Sequence, residues 1–113
     1  MSRPFKLYDL KVDVIGNPTD FVCNHKPGIA FTVSGENIIF TDNNSFSMYA
    51  LAALIPLFPV KQRQTDENDW ISTEELIACP DPNCGARFKI MRNGTAEFTN
   101  EDATKPLRDR GSD

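Results

Sequence analysis

The side chains best suited to chemistry lie in two short segments of the sequence. One residue separates Cys23 from His25, and four residues separate Cys79 from Cys84. These four residues are all the thiols and the single imidazole of the chain. Because thiolate and imidazole are the donors that suit zinc at tetrahedral geometry, the two segments predict a Cys₃His zinc site.

The spacing of these residues leaves an alternative open in which no cofactor is bound. Cys23-x-His25 is tighter than the usual ligand spacing, and Cys79-x₄-Cys84 is looser and contains two prolines. On that alternative, Cys79 ends a strand as a small buried hydrophobic residue, and Cys84 lies in a turn.

A second interpretation of the same segments is metal-free acid–base catalysis. His25 would move a proton, with Asp81 orienting it or acting as a second acid–base group. Cys23 would be a nucleophile or a hydrogen-bond partner. Lys26 and Arg87 would hold an anionic group of the substrate, Arg87 through its bidentate fork.

Each of these residues also has a purely structural interpretation. His25 could be a solvated loop histidine, Asp81 could form a turn between its two flanking prolines, and Arg87 could lie on the solvated face of a strand. Trp70 follows an acidic stretch and could either wall a substrate pocket or anchor the core.

The first element that must position these segments is a strand. Residues 5–15 alternate in polarity, which is typical of a half-buried strand. The alternation predicts one side formed by Tyr8, Leu10, Val12 and Val14, and an opposite side that includes Leu7.

The remaining pattern completes an α+β fold. Residues 29–33 and 38–40 predict a hairpin, and residues 76–79 and 86–91 predict two strands around a turn rich in Pro and Asp. Residues 46–58 predict a helix that is apolar on every side and is ended or kinked by Pro56. The sequence therefore predicts a small, mostly antiparallel sheet packed against one apolar helix.

Length and composition set the domain organisation. The 113 residues suffice for one core, so residues 1–98 are predicted to form a single α+β domain and residues 99–113 a disordered polar tail. The net charge of −4 argues against nucleic-acid binding. No segment has the length of a signal peptide or a membrane span, so the sequence predicts a cytoplasmic protein with no membrane partner.

The order of the motifs resembles that of a small, largely uncharacterised family of microbial proteins. Its members carry a Cys-x-x-Gly-His-type loop near the start and a Cys-Pro-Asp-Pro motif near the end. The resemblance covers residues 8–92, and Cys79-Pro80-Asp81-Pro82 is its specific part. The other matching positions are Cys23, His25, Lys26, Gly28, Phe31, Pro56, Asp69, Trp70 and Phe88.

The resemblance implies a shared site but no established reaction. It implies a site formed by Cys23, His25, Cys79 and Asp81, with Cys84 outside it. The sequence departs from the family pattern at two further places. Ile29 stands where the family has Asp, and Phe46-Ser47-Met48 stands where it has another Cys.

These observations lead to three functional hypotheses. The first is a lyase or isomerase, such as a decarboxylase or cyclase, acting on a small anionic or phenolic substrate in a pocket between helix and sheet. The second is a zinc-binding or accessory module without catalysis. The third is an interaction subunit whose apolar helix forms a homodimer interface.

Overall fold

An antiparallel sheet of five strands forms the framework of the computed structural model, which describes residues 4–40, 45–73, 76–99 and 102. The strands lie in the order β3-β2-β1-β5-β4, with a helical segment packed on one face. The strands are β1 (Phe5–Ile15), β2 (Gly28–Ser34), β3 (Asn37–Phe40), β4 (Leu76–Ala78) and β5 (Arg87–Phe98). This arrangement confirms the predicted α+β fold.

β1 alternates as predicted, except near its start. Leu10, Val12 and Val14 are buried on the core face. Leu7, on the predicted opposite side, is buried as well, although the main core cluster contains Leu10, Val12 and Val14 and not Leu7. The register shift near the start of β1 is a β-bulge in the partner strand, where Asn93 and Gly94 stand opposite the single residue Asp9.

β5 is twice as long as the predicted strand. It continues beyond Met91 to Phe98 and pairs with almost the whole of β1. Gly94 lies within it at a φ of 86°, a conformation that favours glycine and gives no strand signal in the sequence. Pairing with the first half of β1 therefore overrides the weak local preference of these residues.

The helical segment spans residues 48–61, and a 3₁₀ turn interrupts it at its proline. It consists of α1 (Met48–Leu54), a 3₁₀ turn (Ile55–Leu57) that contains Pro56, and α2 (Phe58–Lys61). The Ser47 side chain caps α1 by accepting the N–H of Ala50. Ala50, Leu54 and Phe58 are buried against the sheet. Within the described residues, none of the helices has the length and apolar character needed to cross a bilayer.

The strand ends that matter for the site lie together at one end of the sheet. The end of β1 pairs with the start of β5 at Ile15 and Arg87, and Arg87 also pairs with Ala78 at the end of β4. Val14 pairs with Gly28 at the start of β2. The β1–β2 loop and the β4–β5 turn therefore emerge side by side.

The predicted tail lies mostly outside the described residues. Of residues 99–113, the structure describes Thr99 and Asp102, which are joined by hydrogen bonds between their backbones and from Thr99 to the Asp102 carboxylate. The prediction of disorder beyond Asp102 concerns residues that the structure does not describe.

Candidate metal centre

The two adjacent loops bring the three thiols and the imidazole into one cluster. Cys23 and His25 come from the β1–β2 loop, and Cys79 and Cys84 come from the β4–β5 turn. Their potential ligand atoms all lie within 4.8 Å of one another. The Cys79 Sγ is 3.8 Å from the Cys23 Sγ and 3.9 Å from the His25 Nε2.

The two separations from the Cys79 sulfur are close to the edges of a zinc tetrahedron. With Zn–S bonds of about 2.3 Å and a Zn–N bond of about 2.0–2.1 Å, tetrahedral angles put two sulfurs about 3.8 Å apart and a sulfur and a nitrogen about 3.6 Å apart. The three cysteines are free thiols, and the Cys23–Cys79 separation is far longer than a disulfide bond. The donor set and its spacing therefore fit a tetrahedral ion.

His25 reaches this cluster from an aromatic cage. Its ring is 8 % exposed and packs against Phe88, Phe46 and Phe21, with ring centroids 5.0, 5.3 and 6.3 Å away. Burial lowers the pKa of His25 below its ordinary value of 6.5. The ring is therefore held neutral, which is the form that binds metal.

The other ring nitrogen of His25 has no protein partner. Its Nδ1 is buried and without a hydrogen bond. An ion on Nε2 would require Nδ1 to carry the proton, and ligating histidines usually donate that N–H to an acceptor. His25 also lines a hollow of about 240 Å³ whose walls include the polar residues Asn24 and Ser45.

The two cysteines of the β4–β5 turn differ in protonation. Burial raises the pKa of Cys79 to about 11. Burial alone would also raise the pKa of Cys84, but backbone N–H groups of Cys23, Ala86 and Val22 donate to its sulfur and bring the pKa down to about 7. The Val22 N–H lies 3.4 Å from that sulfur. The Cys84 thiol is therefore partly ionised at neutral pH without any metal.

The turn that presents Cys84 depends on Asp81 and Gly85. The Asp81 carboxylate accepts the N–H of Asn83, and its carbonyl accepts the N–H of Cys84. The Gly85 N–H donates to the carbonyl of Asp20 at 2.7 Å, and a Cβ at Gly85 would lie 2.7 Å from the Asp20 Cβ. Only glycine leaves room for this approach between the two loops.

The predicted catalytic and substrate-binding residues are dispersed by comparison. Asp81 forms the turn described above, and the Arg87 guanidinium donates to the carbonyls of Cys84 and Ala86. Lys26 is exposed and lines the same hollow as His25. Trp70 is 50 % exposed and lines a different hollow, next to Ile71. The structure therefore gathers the metal-ligand set more closely than the set proposed for acid–base catalysis.

Cys84, rather than Asp81, completes the cluster with the other three residues. This differs from the membership that the family resemblance implied. Sequence reasoning also missed Phe21, Val22 and Gly85, whose roles depend on the approach of two loops distant in the chain. The one local signal was the glycine directly after Cys84.

Comparisons with known proteins add no further assignment. No family model matches the chain, and searches of curated proteins and of solved structures each return no match.

Proposed function

We propose that the protein is a zinc-binding module in which Cys23, His25, Cys79 and Cys84 hold one structural zinc ion. The observation that carries this proposal is the convergence of these four donors, three of them buried, within 4.8 Å of one another, with two of their separations close to the edges of a zinc tetrahedron. Structural zinc sites are closed by four protein ligands, whereas catalytic sites keep a position for water or substrate. The four-donor set here supports the structural role.

The ion would supply a cross-link rather than a reaction. Three thiolates and a neutral imidazole would carry a net charge of −1 with zinc bound. The Arg87 guanidinium holds the carbonyls of the turn, and the backbone N–H groups directed at Cys84 offset the negative charge on its sulfur. These residues would hold the ligands in place whether or not the metal is bound.

Metal analysis of purified protein and variants tests the proposal. We expect about one zinc per chain in the wild type, and loss of that zinc in Cys79→Ser and Cys84→Ser. Asp81→Asn is the matched control. It changes a residue of the same turn that is not a ligand, and the amide oxygen can still accept the Asn83 N–H that shapes the turn, so the zinc content should stay unchanged. A wild-type protein that holds no zinc after refolding with the metal would contradict the proposal.

The lyase or isomerase hypothesis stays a prediction. It assigns proton transfer to His25 and assistance to Cys23, two side chains that zinc would engage. The two functions therefore compete for the same atoms, and full occupancy by zinc would leave neither side chain free for acid–base chemistry.

A further inference from the structure

The outer side of the helical segment exposes a continuous apolar surface. We call it the outer helix face, and it consists of Tyr49, Ala52, Ala53, Pro56, Pro59 and Val60, all exposed. Met48 and Ile55 flank it. Met48 and Tyr49 are 69 % and 73 % exposed. Residues 46–60 include no charged side chain.

This exposure differs from the scattered apolar residues found elsewhere on the molecule. Ile39, for example, is 52 % exposed on the sheet face away from the helix. Its neighbours across the strands on that face are the polar residues Thr32 and Lys11. Single apolar residues in such surroundings are ordinary. The outer helix face is contiguous instead, and contiguous apolar surfaces of this kind mark interaction sites.

The spacing of the face suits packing against another helix. Tyr49, Ala52, Pro56 and Pro59 follow the three- and four-residue steps that line one stripe of a helix. The large Tyr49 lies at the N-terminal end of this stripe, and the smaller Ala52, Pro56 and Pro59 follow it. In an antiparallel dimer, the N-terminal end of the stripe in each copy would lie over the C-terminal end of the stripe in the other. The small central side chains of the two copies would meet in the middle.

We propose that the outer helix face is the interface of a homodimer with two-fold symmetry. Such an interface must be self-complementary, and a face without charges brings no like charges together when it meets itself. A membrane surface fits less well, because the face has no flanking rim of several basic residues and the chain carries a net charge of −4. This proposal goes beyond the zinc site and does not depend on it.

The available area is consistent with a dimer. The six residues of the face and its two flanking residues together expose roughly 600 Å² per copy, on a scale where one large aromatic side chain carries about 150–250 Å². Two copies would bury about 1,200 Å², the lower end of the range for specific interfaces. A hollow of about 390 Å³ beside Pro59, which Ile55 also lines, would add to this area by receiving Tyr49 of the partner subunit.

Sedimentation of the full chain, as purified, over a range of concentrations tests the proposal. We expect a monomer–dimer equilibrium in the wild type. Ala53→Glu should raise the dissociation constant of the dimer by far more than about tenfold, because symmetry places two carboxylates opposite each other at the buried centre. Tyr49→Ala should raise the same dissociation constant by at least about tenfold.

Ile39→Glu is the matched control, since it adds the same charge to an exposed apolar position on the opposite face and should leave the equilibrium unchanged. Circular dichroism and a cooperative thermal unfolding transition establish that each variant is folded. A wild-type monomer at the highest concentration, or equal effects of Ala53→Glu and Ile39→Glu, would overturn the proposal. So would a monomer that binds uncharged phosphatidylcholine vesicles, because the face would then belong to a bilayer.

Discussion

Cys79 and Cys84 face the same centre but respond differently to their surroundings. Cys79 is buried without enough hydrogen-bond donors to stabilise its thiolate, so its pKa rises to about 11. Cys84 is equally buried but receives backbone N–H groups, so its pKa falls to about 7. At neutral pH the metal-free protein therefore presents a thiol beside a partly formed thiolate, and zinc must expel the proton from the thiol.

The affinity for zinc should consequently rise with pH. Between pH 7 and 9, Cys79 alone should contribute about a tenfold gain in affinity per pH unit, because each ion that binds releases its proton. Below pH 7 the dependence should become steeper, since Cys84 is then protonated as well. Competition with a chelator of known pH dependence measures this slope, and an affinity that does not change between pH 6 and 9 would contradict the assignment of Cys79 as a ligand.

At the scale of elements, Arg92 joins the helical segment to the sheet. From β5 its guanidinium donates to the carbonyls of Lys61 and Arg63 at 2.8 and 2.7 Å. It also lies over the ring of Tyr8 at 4.4 Å from the centroid. One planar side chain thus fixes the end of α2 against both central strands.

Arg92→Lys should therefore lower the free energy of unfolding by about 1–3 kcal/mol, because lysine keeps the charge but loses the fork that binds two carbonyls at once. Urea denaturation monitored by circular dichroism measures the change. Arg63→Lys is the control, since the exposed Arg63 guanidinium makes one bond, to the carbonyl of Pro59, and its loss should have little effect. Equal losses in the two variants would show that Arg92 has no special role.

How far the sequence predicts each element depends on whether its signal is local. The end of the first α-helical piece before Pro56 and the alternation from Leu10 to Val14 follow from local chemistry, and both predictions were confirmed. The burial of Leu7 and the second half of β5 depend on pairing between strands far apart in the chain, which no local pattern reveals.

The same distinction applies to the candidate site. The identities of its potential ligands followed from residue type alone, because the chain has three thiols and one imidazole. The choice between Asp81 and Cys84 did not, because it depends on which side chains of one turn point towards the β1–β2 loop. The aromatic cage of His25 and the donors to Cys84 likewise exist only once the two loops meet.

For the whole molecule, removal of zinc should reduce stability without abolishing the sheet. The pairing of β1 with β5 does not involve the ligands, so we expect strand structure to persist in the metal-free protein. Loss of the cross-link should lower the melting temperature by about 10 °C or more, which corresponds to roughly 2 kcal/mol in a domain of this size.

Thermal denaturation with zinc, with excess chelator and after zinc is restored measures this effect. Asp81→Asn should show the same shift as the wild type, whereas Cys79→Ser should melt at one temperature with or without chelator. A wild-type melting temperature that is indifferent to chelator would argue that no ion contributes to the fold.

The position of the ligands along the chain has a topological consequence. His25 and Cys79 are 54 residues apart, so an ion between them closes a ring that contains β2, β3, the helical segment and β4. The paired strands β1 and β5 lie outside this ring: β1 precedes it in the chain and β5 follows it. A single break of the backbone inside the ring, such as one after the exposed Arg63, would therefore leave both fragments attached to the same ion.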